Sequence, residues 1–316
     1  MKLATYLRSG ARAPRVGASV GPDMLDLADA LALERLSSPP DVSSMRTLLR
    51  QGERALDALR GLLARVEASP SRFAPARTPL ADVAFLPPVP DADKFLCVGK
   101  NYRAHLEELK RTDLIREMPQ EPTAFVKLNS CLTGHGADVV RPADVVHLDY
   151  EPEMVFVLGR HAERVARGEA LSYVAGITIL NDLTCRDTQK REVASGSRFW
   201  TSKNAPGFGP LGPWLVTLDE VPDPYDLWVT CSVNGEQRMR VNTADQIWKI
   251  DDILPHFSRL VPLEPGDMFS TGAPGGVAVG KANAEALFLK PGDVVECAFE
   301  APAMALRNRI VAPASR

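Results

Sequence analysis

The chain has 316 residues, 45 % of them apolar, about twice the ~150 at which a single domain usually closes, so one large or two unequal units can each bury a core. Its 37 basic and 40 acidic side chains leave a net charge of −3 and are interspersed along the chain, which argues against nucleic acid as the main partner. No apolar run approaches the ~20 residues needed to cross a bilayer, and the opening MKLATYLRSGARAPRVG has neither a signal-peptide core nor a small-residue cleavage site; a cytoplasmic protein with no membrane partner is expected. The five cysteines (Cys97, Cys131, Cys185, Cys231, Cys297) form no C-x-x-C pair and suit reduced thiols better than a disulfide framework or a zinc site. The 26 prolines favour turns and short strands over long helices.

Residues 1 to 30 read as short strands and turns, with rough alternation through Lys2–Leu7, a turn at Gly10 and a second strand over Val16–Val20. One amphipathic helix is expected from Ser44 to Val66, because Leu48, Leu49, Leu56, Leu59, Leu62, Leu63 and Val66 recur every three or four residues. Ser43 or Ser44 can cap it and Pro70 blocks its extension. Six prolines between Pro70 and Pro90 resist regular structure and suit a linker, so residues 1–85 are expected to form a small N-terminal domain with its linker from about 70, and 86–316 a second domain. Beyond residue 90 the pattern is mostly extended, with apolar runs over 95–98, 154–158, 174–180, 227–233 and 294–299. Pro265-Gly266-Asp267 and Pro291-Gly292-Asp293 each precede such a run and read as turns whose glycine takes a positive φ.

The most informative stretch is Asp149-Tyr150-Glu151-Pro152-Glu153-Met154-Val155-Phe156-Val157-Leu158-Gly159. Two carboxylates two residues apart on an extended segment share a face and repel unless a cation lies between them, although Glu-x-Glu at a strand start is also commonly a solvated edge. Asp182, directly after the apolar strand ending at Leu180, supplies a third acid. Three oxygen donors suit Mg²⁺ or Mn²⁺, with water or substrate completing the shell, better than zinc. The bland alternatives are a turn or cap for Asp182 and an ordinary ion pair for Arg186 with Asp187. In Val98-Gly99-Lys100-Asn101-Tyr102-Arg103-Ala104-His105, a strand ends and a short helix begins. On that helix His105 and Glu108 share a face, so the carboxylate can orient the imidazole for general-base work; Glu107 points elsewhere.

Weaker signals follow. Gly17-Ala18-Ser19-Val20-Gly21 matches G-x-S-x-G but continues into Pro22-Asp23, a hairpin rather than the strand-to-helix turn a nucleophile elbow requires. The loop Ser270–Val277 lacks both common phosphate-binding glycine patterns, yet its amides are able to hold a carboxylate. Lys203 reads as a solvated lysine, while the aromatic and proline-rich stretch from Phe199 and Trp200 to Gly209 hints at a shaped pocket.

Taken in order, Val98-Gly99-Lys100-Asn101-Tyr102 with His105, then Tyr150-Glu151-Pro152-Glu153, then Asn181-Asp182 with Arg186-Asp187-x-Gln189, then Thr271-Gly272, resemble the fumarylacetoacetate hydrolase family from about residue 90 to the C-terminus. The small N-terminal domain resembles that of many members. The resemblance implies an α+β, mainly β fold, a mixed β-sandwich roll behind a small N-terminal α/β domain, usually paired as a homodimer. It implies a divalent metal, Mg²⁺ or Mn²⁺, on Glu151, Glu153 and Asp182, with Lys203 near the reacting oxygens and Gln189, Thr271 and Gly272 as substrate contacts. The implied substrate is a small 2-oxo acid or 1,3-dicarbonyl that chelates the metal and reacts through an enolate. Because the family's hydrolases and some decarboxylases carry the His105 and Glu108 pair, hydrolysis of a C–C bond in an acylpyruvate-like 2,4-dioxo acid is expected, with His105 activating water. The alternatives are decarboxylation, hydration or isomerisation of a 2-oxo acid, or a silent metal-binding scaffold. Asn204-Ala205-Pro206-Gly207-Phe208 departs from the family's usual run after the lysine, so the pocket wall differs.

Overall fold

The structure, a computed structural model, describes residues 1–111, 120–196 and 201–314. Among these, eleven strands form one sheet. Its path runs from Arg77–Pro79 through Asp23–Asp26, Arg15–Val20 and Lys2–Arg8 to Leu215–Thr217, then through Val174–Asn181, Pro152–Leu158, Met268–Ser270 and Phe95–Gly99 to Thr123–Val126. Val83–Phe85 pairs with Lys2–Arg8 as a branch. Five further strands form a second sheet in the order Glu236–Asn242, Trp228–Val233, Val294–Phe299, Met304–Val311 and Asp138–Val140.

Sequence pattern explains which strand goes where. Pro152–Leu158 and Val174–Asn181 are near-continuous apolar runs, and every residue in both is buried, as strands covered on two faces require. Val294–Phe299 alternates half-buried and buried residues, so one face packs inward and the other meets solvent. Successive residues of the central strand serve opposite cores. Met154 and Phe156 pack towards the second sheet with Ile177, Phe269 and Cys297, while Val155 and Val157 pack with Leu56 and Leu59 of the N-terminal helices. The result is three layers with the large sheet in the middle.

The expected helix from 44 to 66 is two helices, Met45–Arg50 and Glu53–Ala68. Gly52 breaks it with a φ of +69°, which glycine adopts at no steric cost, and the apolar periodicity resumes on the far side. Ser44 caps the first helix through Thr47 N at 3.0 Å, and the second stops at Ala68, before Pro70. The proline-rich stretch is less irregular than its composition implies. Arg77–Pro79 and Val83–Phe85 are short strands on the N-terminal sheet, and Leu86 N donates to Thr5 O at 2.9 Å. Main-chain pairing also carries the sheet from Leu3 to Leu215, so residues 1–85 share one sheet with the rest. The hairpin reading of Gly17–Gly21 agrees with Arg15–Val20 pairing antiparallel to Asp23–Asp26. Gly266 and Gly292 take φ of +91° and +101°, the positive values their Pro-Gly-Asp turns require.

Candidate active site

Register brings the acids together. Pro152 lies opposite Asn181 in the antiparallel pair of central strands, so Glu151 and Glu153 at the start of one strand meet Asp182 just past the end of the other. Asp182 N donates to Glu151 O at 2.8 Å, and Glu151 N donates to Asn181 Oδ1 at 3.0 Å. Pro152, at the first position of its strand, costs little as a missing donor. One carboxylate oxygen from each of Glu151, Glu153 and Asp182 lies within 4.8 Å of the other two, and the side chains are 3, 3 and 0 % exposed.

Buried carboxylates need partners. Lys203 Nζ donates to Glu151 Oε2, to Asp182 Oδ2 at 2.5 Å and to Thr184 Oγ1 at 2.7 Å, which occupies all three of its protons. Lys127, itself buried, donates to Asp182 Oδ1 at 2.6 Å, to the carbonyl of Phe208 at 3.0 Å and to that of Lys203. Arg186 Nη2 donates to Glu151 Oε1 at 2.6 Å, its Nε to Asp149 Oδ2 at 2.8 Å and its Nη1 to Gln189 Oε1 at 2.9 Å. Asp149 in turn accepts from the amides of Ala278 and Val279 at 2.9 and 3.0 Å. Ser270 donates to Glu153.

The electrostatics single out Glu153. Burial acts to raise the pKa of Glu151, but Lys203 and Arg186 outweigh it and hold the carboxyl below its usual range. Glu153 has no such cation on its oxygens among the described residues. Burial first, then the charge of Asp182, push its pKa well above the carboxylate range. With Asp149 the cluster sets four acids against three fixed cations, Lys127, Lys203 and Arg186, and the shortfall of positive charge falls on Glu153. Three buried oxygen donors with neither Cys nor His among them fit a hard divalent cation.

His105 reaches the cleft from the helix Arg103–Arg111, which also carries Glu108. His105 Nδ1 lies 3.2 Å from Glu108 Oε2, and Glu108 Oε1 accepts from Gly276 N at 2.7 Å. Nδ1 bound to a carboxylate leaves Nε2 as the nitrogen for proton exchange. His105 is 5 % exposed and lines a cleft of about 420 Å³ that it shares with Glu151, Glu153, Asp182, Gln189 and Lys203. Glu107 instead pairs with Lys110 at the surface.

Two sequence readings need adjustment. Arg186 and Asp187 do not form a pair of their own: Arg186 turns inward to Asp149 and Glu151, while Asp187 turns outward to His147 Nδ1 at 2.5 Å. The amides of the 270–279 loop do hold carboxylates, but those of Glu108 and Asp149. Thr271 and Gly272 are buried and bonded to the protein: Thr271 N and Oγ1 both donate to Met154 O, at 2.9 and 3.1 Å, and Gly272 N donates to Ser270 Oγ at 3.2 Å, whereas the neighbouring Ala273 lines the cleft. The aromatic pair Phe199 and Trp200 lies outside the described residues. The sequence assigns no role to Lys127 or to Asp149, although Asp149 opens the stretch that carries Glu151 and Glu153. The only local signal was a lysine inside the apolar run Thr123–Leu128 and an acid ahead of Tyr150.

Residues 94–311 match the family model of the fumarylacetoacetate hydrolase C-terminal domain. The rat protein named oxaloacetate tautomerase Fahd2a, mitochondrial, is 33 % identical over 305 residues, covering 95 % of this chain and 88 % of its own. Among solved structures, a putative HpcE protein from Mycobacterium smegmatis superimposes with a TM-score of 0.78 at 30 % identity, over 99 % of this chain and 100 % of that one. Maleylpyruvate hydrolase from Sphingobium sp. SYK-6, in complex with manganese(II) and pyruvate, does so with a TM-score of 0.73 at 26 % identity over the same shares. With its α+β fold and buried acid triad, the chain belongs to the fumarylacetoacetate hydrolase family.

Proposed function

We propose that the protein is a divalent-metal-dependent enzyme of 2-oxo acids, and that its reaction is hydrolytic cleavage of a C–C bond in an acylpyruvate-like 2,4-dioxo acid. The single observation that carries this reading is the buried, mutually bonded His105 and Glu108 pair, of which His105 lines the same cleft as the acid triad. Glu151, Glu153 and Asp182 hold the cation, Mg²⁺ or Mn²⁺, which when bound supplies Lewis-acid polarisation of the substrate's oxygens. Lys203 favours the ionised form of Glu151 and aims Glu151 and Asp182 together. Glu108 fixes the imidazole so that Nε2 accepts a proton from water, and the water attacks the distal carbonyl. The C–C bond breaks, and the protonated His105 returns its proton to the departing carbon, leaving a 2-oxo acid and a second carboxylic acid. Gln189, held by Arg186 at the cleft wall, contacts the substrate, as do Thr271 and Gly272 next to Ala273 of that wall.

A second reading, tautomerisation of an oxaloacetate-like acid, is favoured by the name of the rat relative, which matches 95 % of this chain. It uses the same base, with the proton taken from carbon instead of water. Acetylpyruvate, fumarylpyruvate and oxaloacetate, followed at their enol absorbance with Mg²⁺, Mn²⁺ or EDTA and with products identified, distinguish the two. Hydrolysis yields pyruvate and an acid from the first two, tautomerisation changes the enol signal of oxaloacetate without new products, and decarboxylation releases CO₂. No metal-dependent change with any of the three leaves only a metal-binding scaffold. The proposal includes a cytoplasmic homodimer. Five buried free cysteines agree with a reducing compartment, and sedimentation velocity tests the pairing.

A further inference from the structure

Asp149 ends the short strand Leu148–Asp149, which pairs antiparallel with Thr184–Cys185 so that Asp149 lies opposite Thr184. Its side chain is fully buried and lies behind the cleft, not in its wall. Donors from three stretches of the chain converge on the carboxylate. Oδ1 accepts from the amides of Tyr150 and Ala278, both at 2.9 Å, and Oδ2 accepts from Val279 N at 3.0 Å and Arg186 Nε at 2.8 Å. Main-chain amides can be met by a neutral oxygen, and a buried charge costs desolvation, so it is Arg186 that the charge of Asp149 answers.

From this carboxylate two arms lead to the two working parts of the site. Through Arg186 one arm reaches the floor, where Nη2 donates to Glu151 Oε1 at 2.6 Å and Nη1 to Gln189 Oε1 at 2.9 Å. The other arm runs through the amides of Ala278 and Val279 to the helix of His105, because the segment around them lies against Glu108. Gly276 N donates to Glu108 Oε1 at 2.7 Å, and Gly280 packs so closely that a Cβ there would lie 2.6 Å from Glu108 Cδ. Glu108 Oε2 in turn meets His105 Nδ1 at 3.2 Å.

We propose that Asp149 is a positioning residue that sets the metal-binding floor and the His105 helix against each other, so that cation affinity and the orientation of the imidazole both depend on one buried carboxylate. This deepens the reading of the site given above and rests on it. With an amide at position 149, Arg186 is left to Glu151 and competes with a divalent ion for it, and the loss of a negative charge beside the site acts in the same direction. The asparagine NH₂ meets donors whichever way it turns, Arg186 and Val279 on one side or Tyr150 and Ala278 on the other, so the segment behind Glu108 must shift.

The test compares full-length wild type with Asp149→Asn and Ala278→Pro. The second variant removes only the Ala278 N–H: the residue opens a 3₁₀ turn and Val277 before it is extended, a setting in which proline is tolerated. Two readouts need no turnover. One is Mn²⁺ affinity by calorimetry; the other is the Nδ1–H signal of His105 in metal-free, ¹⁵N-histidine-labelled protein, assigned by its absence in His105→Ala. Asp149→Asn is expected to weaken Mn²⁺ binding about tenfold and to shift or broaden the His105 signal. Ala278→Pro is expected to move the signal while Mn²⁺ affinity stays within about twofold. A residue that only supports the fold lowers the melting temperature and leaves both readouts of the folded protein at their wild-type values, and that result overturns the proposal. An Asp149→Asn protein that moves one readout without the other overturns it too. Should Asp149→Asn fail to fold, Ala278→Pro decides: a displaced His105 signal with Mn²⁺ affinity kept supports the proposal, and an unmoved signal refutes it. If both readouts respond as expected but acetylpyruvate, fumarylpyruvate and oxaloacetate all go unconverted, the reaction is wrong and the positioning role stands. A wild type that takes up no Mn²⁺, or shows no such signal, contradicts both.

Discussion

The floor of the cleft and the helix above it are built on different principles. The floor consists of ends of two fully buried central strands, with every carboxylate except Glu153 bonded to a buried cation. The helix Arg103–Arg111 and the turn before it are held by uncharged or singly charged hydrogen bonds to loops elsewhere in the chain: Glu108, which also holds His105, to Gly276 N, Tyr102 to Gln246, and Asn101 to the backbone of Trp248 and Thr271. The difference separates two jobs. A rigid, charge-dense floor fixes where a cation and a 2-oxo head bind, whereas the helix decides which proton moves.

The largest way to break that division is at the floor. Asp182→Asn takes the carboxylate from Lys127 and one of two from Lys203, and loss of one partner in a buried ion pair costs about 3 kcal/mol or more. Urea unfolding of the metal-free protein should show that loss, and a change below about 1 kcal/mol would mean the floor is not rigidly paired. On the helix, His105→Ala should lower turnover about 10²-fold or more while Mn²⁺ affinity stays within about twofold, because the imidazole is not a ligand. Coupled loss of both would merge the two regions into one.

A smaller effect is expected where helix and loop touch. A Cβ at Gly280 would lie 2.6 Å from Glu108 Cδ, so Gly280→Ala must push the carboxylate aside. Turnover should fall about tenfold, less than for His105→Ala because the base itself remains, with Mn²⁺ binding unaffected. The smallest effect lies outside the cleft, where His147 bridges Asp187 and Glu285. Burial acts to lower its pKa, but the two carboxylates outweigh that and raise it. A raised histidine pKa contributes stability below the unfolded value of about 6.5, and the contribution is lost as pH rises through the folded value. The difference in melting temperature between wild type and His147→Gln should therefore shrink from about pH 6 to pH 9; a constant difference rules out the charged bridge.

What was legible in the sequence followed from local rules. Glu151, Glu153 and Asp182 stand out because together they offer three oxygen donors at the ends of apolar strands, and His105 with Glu108 because helical spacing predicts their contact. The compensating charges were not legible. Lys127 reaches Asp182 across 55 positions and Asp149 meets Arg186 across 37, so only the folded sheet shows that they belong to the site. The same holds for Arg77–Pro79 and Val83–Phe85, whose prolines read as linker until pairing with N-terminal strands made them part of the sheet. At Gly52 the apolar period continued across a break that only the glycine's positive φ revealed.

The central claim is that three acids share one dication and that Glu153 is the member held in reserve for it. Because burial and the charge of Asp182 push its carboxyl towards the protonated form in the metal-free protein, Glu153→Gln, an uncharged amide of nearly the same shape, is expected to disturb the metal-free fold little. Mn²⁺ titration calorimetry of wild type and Glu153→Gln, beside their metal-free melting curves, is the most direct measurement. The account predicts one Mn²⁺ per wild-type chain, its loss in the variant and nearly superimposable metal-free melting curves; undiminished Mn²⁺ uptake by Glu153→Gln would contradict it.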